Sequence, residues 1–256
     1  MFLIDTHAHL YLSKFDEDRN DMIARAIDAG VGKMLLPNID LTTIDSMHTL
    51  CDRYPENCFP MMGLHPCDVK ADFENTLSQM FEYFGKRKYV AVGETGIDMY
   101  WDKTTLDIQK EAFAIQIGWA KDLQLPIVIH ARDSFDEIFE VLDRLNDDRL
   151  TGVFHCFTGT EAQAQKIMAY GGFMMGLGGV LTYEKSGLDV AIKNIPMEYF
   201  VLETDAPFLA PKPHRGKRNE SSFVPFVAQK LASCKGLSPE EVAMVTTENA
   251  NKLFRL

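Results

Sequence analysis

Short apolar runs alternate along most of the chain with longer segments whose apolar residues recur every three or four positions. The short runs are typical of buried strands, and the longer segments have the period of amphipathic helices. The predicted strands span residues 2–6, 33–37, 59–64, 89–94, 126–130, 152–155, 172–176 and 199–203. The predicted helices span residues 16–29, 41–53, 76–84, 106–123, 135–145, 161–169, 187–193, 224–235 and 240–256. Ser238 and Pro239 supply an N-cap and a first-turn proline for the last helix.

Eight strands that alternate with helices predict an α/β fold built on a parallel sheet. Eight such units that close on themselves form a (β/α)8 TIM barrel, and 256 residues is a typical length for that fold. An open, doubly wound sheet is the alternative, but no glycine-rich dinucleotide loop follows the first predicted strand. The chain has no linker or low-complexity tract, so we expect one domain over residues 1–256.

Composition and charge narrow the class of protein. The chain has 26 basic and 37 acidic residues and a net charge of −11, which argues against broad, non-specific binding along duplex nucleic acid. Its five cysteines form no C-x-x-C pair, so neither a disulfide framework nor a cysteine zinc site is expected. No signal-like segment and no apolar run of about 20 residues occurs. We therefore expect a soluble cytoplasmic protein.

Side chains that can bind a metal ion lie where the predicted strands end. Those at or just after strand ends are His7, His9, His65, Glu94, His130, His155 and Asp205. TIM-barrel active sites lie at the carboxyl ends of the strands, so we expect these side chains to converge. His7 and His9 reinforce this prediction, because alternate residues of a strand point to the same side, about 7 Å apart. Imidazole is also the commonest metal ligand in proteins.

This set is large enough for two neighbouring cations. Four of its histidines and its two carboxylates suffice, and Glu94, in the middle of the set, can bridge two ions with one oxygen each. Two ions about 3.5–4 Å apart can generate a hydroxide and stabilise both the attacking and the leaving oxygen of a phosphoryl displacement. So many imidazoles favour Zn, Mn, Ni or Co over Mg, which prefers oxygen ligands.

A set of ordered motifs spans nearly the whole chain. They read DTHAHL at 5–10, GLHP at 63–66, GETGID at 93–98, LPIVIHAR at 125–132, HCFTG at 155–159, ETDAP at 203–207 and PHRGKRN at 213–219. In this order they resemble the motifs of the TatD-type deoxyribonucleases, metal-dependent hydrolases of the amidohydrolase-like barrel group. Thr95 and Thr158 are small departures from the family pattern, where we expect an aliphatic residue and serine, and neither is a predicted ligand.

The resemblance implies a TIM barrel of the metallo-dependent hydrolase type, whose two-metal centre hydrolyses DNA phosphodiester bonds. It also implies the ligands: His7, His9 and Asp205 for the first ion, His130 and His155 for the second, and Glu94 as the bridge. The family is usually described as Mg-dependent, which conflicts with the preference of imidazole for softer ions. Mg, Mn and Zn therefore all stay candidates for the two divalent ions.

We also expect catalytic roles beyond metal binding, and the resemblance implies those of His65 and Arg132. Asp205 would accept the proton of the attacking water or orient its attack, while Glu94 would hold the two ions together. His65 and Arg132 would face the substrate phosphate. Behind the ligands, Asp98 and Glu203 are candidates to orient histidines through hydrogen bonds.

The largest basic cluster of this acidic chain lies close after Asp205. This basic loop (residues 212–220) contains Lys212, His214, Arg215, Lys217 and Arg218 with a single acidic residue, Glu220. Such side chains position nucleic acids through their phosphates, so we expect His214, Arg215, Lys217 and Arg218 to bind substrate. The alternative is a solvated loop.

Three aromatic residues in loops after predicted strands, Tyr100, Trp101 and Phe208, either stack on unpaired bases or cap the mouth of the barrel. A deep barrel mouth admits a strand end more easily than the middle of a duplex. The sequence therefore predicts an exonuclease that acts on single-stranded or frayed DNA ends.

Two other functions stay open. The same barrel can attack an acyl carbon, as an aminoacyl-tRNA deacylase, a lactonase or an amidohydrolase would. The commonest amidohydrolase form is disfavoured, since Glu94 stands where that form has a carboxylated lysine. A barrel with a vestigial metal site and a role in partner binding is the second alternative, and the intact ligand set argues against it.

Overall fold

The computed structural model describes residues 1–256, in which eight parallel strands alternate with helices. The strands are β1 (Leu3–Asp5), β2 (Val31–Pro37), β3 (Cys58–Met61), β4 (Val92–Asp98), β5 (Ile127–Arg132), β6 (Gly152–Phe154), β7 (Phe173–Leu177) and β8 (Phe200–Leu202). The helices are α1 (Arg19–Asp28), α2 (Ile44–Arg53), α3 (Phe73–Phe81), α4 (Leu106–Leu123), α5 (Phe135–Leu145), α6 (Glu161–Ala169), α7 (Leu188–Ala191), α8 (Val224–Lys235) and α9 (Pro239–Phe254). None of these helices is long and apolar enough to span a bilayer.

The eight strands close into a barrel across two short seams. Strands β1–β3 and β4–β8 each pair in chain order, and every pairing is parallel. A bridge between Met62 and Val92 joins β3 to β4. On the other side, Ala8 bridges Ala206, and the Thr6 N–H donates to the carbonyl of Leu202 at 3.0 Å. The predicted (β/α)8 barrel is confirmed, and the open doubly wound sheet is excluded.

Strand boundaries differ most from the prediction at β4. The apolar pattern stops at residue 94, whereas the strand spans Val92–Asp98 with all seven residues buried. Its register against β5 shifts between Val92 and Thr95. The prediction that Glu94 ends the strand is therefore wrong. Apolar patterning fails here because the buried side chains of Glu94, Thr95 and Asp98 are polar.

Helix α9 closes the amino-terminal end of the barrel. Its start is a capping box, in which Ser238 Oγ accepts the N–H of Glu241 at 3.2 Å and Glu241 Oε2 accepts the N–H of Ser238 at 2.8 Å. At its other end, Leu253 and Phe254 join a buried cluster with one apolar side chain from each of six strands: Ile4, Leu35, Met61, Val128, Val153 and Val201. The opposite end of the barrel stays free for the polar side chains.

Candidate metal centre

The carboxyl ends of the strands bring the predicted metal-binding side chains into one cluster. Its members are His7, His9, His65, Glu94, His130, His155 and Asp205. His130 lies within β5, while His7 and His155 stand just beyond the last residues of β1 and β6. The convergence predicted from the barrel geometry is thus observed, although β1 ends two residues before His7.

Glu94 lies at the centre of this cluster, and its two carboxylate oxygens face different histidines. Glu94 Oε2 is 3.1 Å from His7 Nε2 and 3.5 Å from His9 Nε2. Glu94 Oε1 is 2.8 Å from both His130 Nδ1 and His155 Nε2. One buried carboxylate therefore joins two pairs of imidazoles.

Asp205 completes the first pair of histidines. Its Oδ1 is 3.6 Å from His9 Nε2 and 3.8 Å from His7 Nε2. Asp205 adopts a φ of 56°, in the left-handed region that aspartate tolerates better than most residues. Its N–H donates to the carbonyl of His7 at 2.8 Å, so the connection after β8 holds the carboxylate against the connection after β1.

Hydrogen bonds on the outer side fix the orientation of two of the rings. The Tyr11 hydroxyl donates to the carbonyl of Pro37 at 2.5 Å, so it accepts from His9 Nδ1 at 3.0 Å. Asp98 Oδ2 likewise accepts from His130 Nε2 at 2.9 Å. In both rings the outer nitrogen is thereby engaged, and the inner nitrogen faces Glu94.

Two further carboxylates support the cluster from behind. Glu203 Oε1 lies 3.4 Å from His155 Nδ1 and accepts the N–H of Cys156 at 2.6 Å. Asp5 accepts three hydrogen bonds: from the hydroxyl of Thr204 at 2.6 Å, from the backbone N–H of Thr204 at 2.9 Å, and from the backbone N–H of His7 at 3.3 Å. Asp5 therefore ties the segments after β1 and β8 together, next to Asp205.

The donor set fits divalent cations. In the neutral His130 ring that donates through Nε2 to Asp98, Nδ1 is an acceptor, and it lies 2.8 Å from Glu94 Oε1, which is also an acceptor. Two acceptors at that distance repel each other unless a positive charge lies close to both. The same holds for His9 Nε2, which lies 3.5 Å from Glu94 Oε2. Imidazole and carboxylate ligands in this arrangement are typical of zinc and neighbouring transition metals.

His65 differs from the other imidazoles of the cluster. Its Nδ1 accepts the N–H of Cys67 at 3.1 Å, so the proton lies on Nε2, which is 3.5 Å from Glu94 Oε1. Burial lowers the pKa of His65, so the ring is neutral. A neutral ring with an inward N–H can donate a hydrogen bond but offers no lone pair to a metal ion.

The pKa values of the two carboxylates in the cluster, Glu94 and Asp205, shift in opposite directions. Burial opposes the charge of Glu94, but the surrounding histidines, His155 foremost, outweigh it and hold the pKa of Glu94 well below its usual range. Burial raises the pKa of Asp205 to about 6, although His155 and His9 oppose the shift. Glu94 is therefore a permanent anion, whereas Asp205 can exchange a proton close to neutral pH.

Arg132, predicted to face the substrate phosphate, lies at the end of β5 on the rim of the cluster. Its guanidinium carbon is 3.8 Å from the centre of the Tyr100 ring. Phe208 lies on the opposite rim, with its ring centre 6.2 Å from that of His9 and the ammonium of Lys14 4.8 Å above it. Sequence analysis did not single out Lys14, because no motif contains it.

The basic loop (residues 212–220) is held by contacts within the protein. Arg218 donates to both oxygens of Asp18 at 2.7 Å and to the carbonyl of Lys14 at 2.8 Å. The ring of His214 stacks on Phe223, with ring centres 4.0 Å apart. These two predicted substrate ligands are therefore engaged elsewhere.

The other cations of the basic loop are more open to solvent. Lys212 pairs with Glu184 at 2.6 Å, and the guanidinium of Arg215 lies 4.4 Å from the centre of the Tyr183 ring. Lys217 is exposed. Of the loop residues predicted to bind substrate, Arg215 and Lys217 keep charged groups that can reach a phosphate.

Comparison with known proteins agrees with this geometry. The family described as TatD related DNase matches residues 4–255. An uncharacterized metal-dependent hydrolase from Bacillus subtilis, YabD, is 39% identical over 99% of this chain and 99% of its own. A protein from Cronobacter sakazakii, named 3'-5' ssDNA/RNA exonuclease TatD, is 34% identical over 98% of this chain and 97% of its own.

A solved structure shows the same likeness in three dimensions. The crystal structure of YJJV, a TatD homolog from Escherichia coli, matches with a TM-score of 0.93 and 30% sequence identity, over 99% of this chain and 98% of that one. The family match spans almost the whole chain, and the residues of its motifs converge on the cluster around Glu94. The protein therefore belongs to the TatD-related DNase family and is a metal-dependent hydrolase.

Proposed function

We propose that this protein is an exonuclease that hydrolyses phosphodiester bonds at the 3' ends of single-stranded DNA and RNA. The observation that carries the proposal is the position of Glu94, which presents one oxygen to each of two groups of ligands. The name of the Cronobacter sakazakii relative, 3'-5' ssDNA/RNA exonuclease, supplies the polarity and the strand preference. A net charge of −11 further disfavours broad contact with a duplex.

Two divalent ions would occupy the two groups. His7, His9 and Asp205 would hold the first ion, His130 and His155 the second, and Glu94 both. When bound, such a pair of ions would supply an activated water molecule and offset negative charge on the phosphoryl oxygens. Mn and Zn fit the imidazole ligands best, while Mg is the harder ion that carboxylates alone would favour.

Side chains of the protein supply the remaining chemistry. Asp205, whose carboxylate stands beside His7 and His9, would accept the proton of the attacking water or orient its attack. The Nε2–H of His65 points into the cluster and would donate to a non-bridging oxygen of the phosphate. Arg132 would contact the same phosphate from the rim, where its charge offsets the negative charge that builds up during attack.

Two statements about the whole protein follow from the same features. The site takes residues from the region of β1 through the connection after β8, so we propose that residues 1–256 act as one hydrolase domain. All five cysteines are free thiols, which fits a reducing cytoplasm as its location.

End-labelled oligonucleotides test this proposal. Single- and double-stranded substrates, labelled at the 5' or the 3' end, are incubated with the metal-stripped protein and Mg, Mn or Zn in turn. We expect stepwise shortening of 5'-labelled single strands, restored by at least one of these ions. Parallel assays on simple esters, lactones and an aminoacyl-tRNA test the acyl-hydrolase alternative. Turnover of an acyl substrate without any cleavage of oligonucleotides would contradict the proposal.

A further inference from the structure

Two exposed aromatic side chains and one cation form a corner beside the metal centre. This aromatic corner consists of Tyr100, Trp101 and Arg132. Trp101 is 71% exposed and Tyr100 is 53% exposed, which makes Trp101 the most exposed large hydrophobic side chain of the protein. The two rings meet edge to face, with centres 4.9 Å apart. The guanidinium of Arg132 lies 3.8 Å from the centre of Tyr100 and 5.6 Å from that of Trp101.

The aromatic corner is anchored to a predicted metal ligand through one carboxylate. Asp98 Oδ1 accepts the N–H of Tyr100 at 2.9 Å and the N–H of Trp101 at 3.2 Å. The other oxygen, Oδ2, accepts from His130 Nε2 at 2.9 Å. Asp98 is buried and its backbone lies in β4, so the corner has a defined position relative to the second group of ligands.

The chemistry of the corner matches a nucleotide. A guanidinium that stacks by its face keeps its in-plane N–H groups free for a phosphate. An exposed indole face is a sequence-tolerant platform for a base, because every base has a π-face. Both features lie on the same rim, tied through Asp98 to His130 of the metal centre.

We propose that the aromatic corner is a nucleobase subsite. Trp101 stacks on the unpaired base next to the scissile phosphate, and Arg132 contacts the phosphate of the same nucleotide. The subsite explains a preference for single strands, because a base in a duplex would first have to leave its stack and its partner. This inference rests on the proposed nuclease function. It adds that the substrate must carry an unpaired base next to the bond that is cut.

The test compares two single-stranded oligonucleotides of equal length in one metal-loaded preparation. One oligonucleotide carries a base at every position (the based strand). The other has an abasic residue at the terminal position, next to the bond that is cut (the abasic strand). We expect Trp101→Ala to raise KM for the based strand about tenfold, since stacking on a protein ring contributes about that factor or more per base. KM for the abasic strand should stay unchanged, and Trp101→Phe should keep most of the affinity for the based strand.

A matched control removes an exposed apolar side chain far from the corner. Met244 is 64% exposed on α9, at the amino-terminal side of the barrel, so Met244→Ala should leave both substrates unaffected. Equal KM values for Trp101→Ala and wild type on the based strand would overturn the subsite while leaving the nuclease intact. An equal rise on both strands would overturn it too, because the effect would then not depend on the base. Absence of cleavage by the wild type would contradict the nuclease function itself.

Discussion

In the metal centre the ligands point at one shared carboxylate, whereas Lys212 and Arg218 of the basic loop (residues 212–220) point at separate partners within the protein. Glu94 is in contact with imidazoles from four strand ends. In the loop, Arg218 binds Asp18, and Lys212 binds Glu184. Both regions gather titratable side chains, but only in the metal centre are they buried against one another.

The difference follows from how each region is built. Side chains at the carboxyl ends of adjacent barrel strands converge on the barrel axis. Because they are buried there, their polar atoms have to form their contacts with one another. A loop cation can turn to any nearby acid and is neutralised by the first one within reach, as Arg218 is by Asp18. Substitutions in the metal centre should therefore affect kcat and metal affinity, whereas substitutions in the basic loop should affect stability or KM.

The largest effect is expected at Glu94. Glu94→Gln keeps the shape of the side chain but removes the negative charge that both groups of ligands share, so kcat should fall at least a hundredfold, about 2.7 kcal/mol of barrier. The exposed Glu82 pairs only with Lys86, at 3.6 Å, and Glu82→Gln serves as the matched control. Circular dichroism checks that both variants fold. More than a tenth of the wild-type kcat in Glu94→Gln would contradict the bridging role.

The next largest effect is expected on the pH dependence of metal binding by the first group of ligands, His7, His9 and Asp205. Burial raises the pKa of Asp205 to about 6, so below pH 6 this carboxyl carries a proton that a bound ion must displace. The affinity for Mn should therefore fall as the pH decreases, by about five- to sixfold between pH 6 and pH 5 if this one proton is released. Titration calorimetry at several pH values measures it. A constant affinity over this range would exclude Asp205 from the metal site.

A smaller effect, on stability rather than activity, is expected in the basic loop. Arg218→Ala removes the two-pronged contact with Asp18 and the packing of the guanidinium on Phe15, at 4.5 Å from the ring centre. The free energy of unfolding should fall by about 1 kcal/mol, with Tm about 2–4 °C lower, while KM stays unchanged. A large rise in KM at wild-type stability would return Arg218 to the substrate-binding residues.

The smallest effect is expected for Lys217. Its side chain is exposed, so Lys217→Ala should not affect stability, but one phosphate contact would be lost. KM for an oligonucleotide should rise about two- to threefold, and the slope of log KM against log salt should shrink by about 0.7. An unchanged salt dependence would leave Lys217 as a solvated residue and the basic loop without a role in binding.

The sequence predicts those parts of the site that depend on strand geometry. The six proposed ligands and His65 are brought together because the carboxyl ends of parallel strands meet at one end of a barrel. The supporting hydrogen bonds are harder to predict. Tyr11 stands two residues after His9, a spacing that hints at contact, but its hydroxyl acts through the carbonyl of Pro37, which the sequence does not place nearby.

Contacts between residues far apart in the sequence are the second feature that the sequence does not predict. Asp5 precedes the His-x-His pair in sequence, but its role comes from Thr204, 199 residues away. Arg218 shows the same limit, because its partner Asp18 is 200 residues distant and only the folded barrel brings the two together. Charge composition indicates that a loop is basic, but it does not show which of its cations are already neutralised.

Diffraction from crystals of the Mn-loaded protein, measured with the anomalous signal of Mn, tests the central claim most directly. Two anomalous peaks about 3.5–4 Å apart are expected, one beside His7, His9 and Asp205, the other beside His130 and His155. Glu94 should lie between them with one oxygen on each. A single peak, or two peaks that do not share Glu94, would contradict the account.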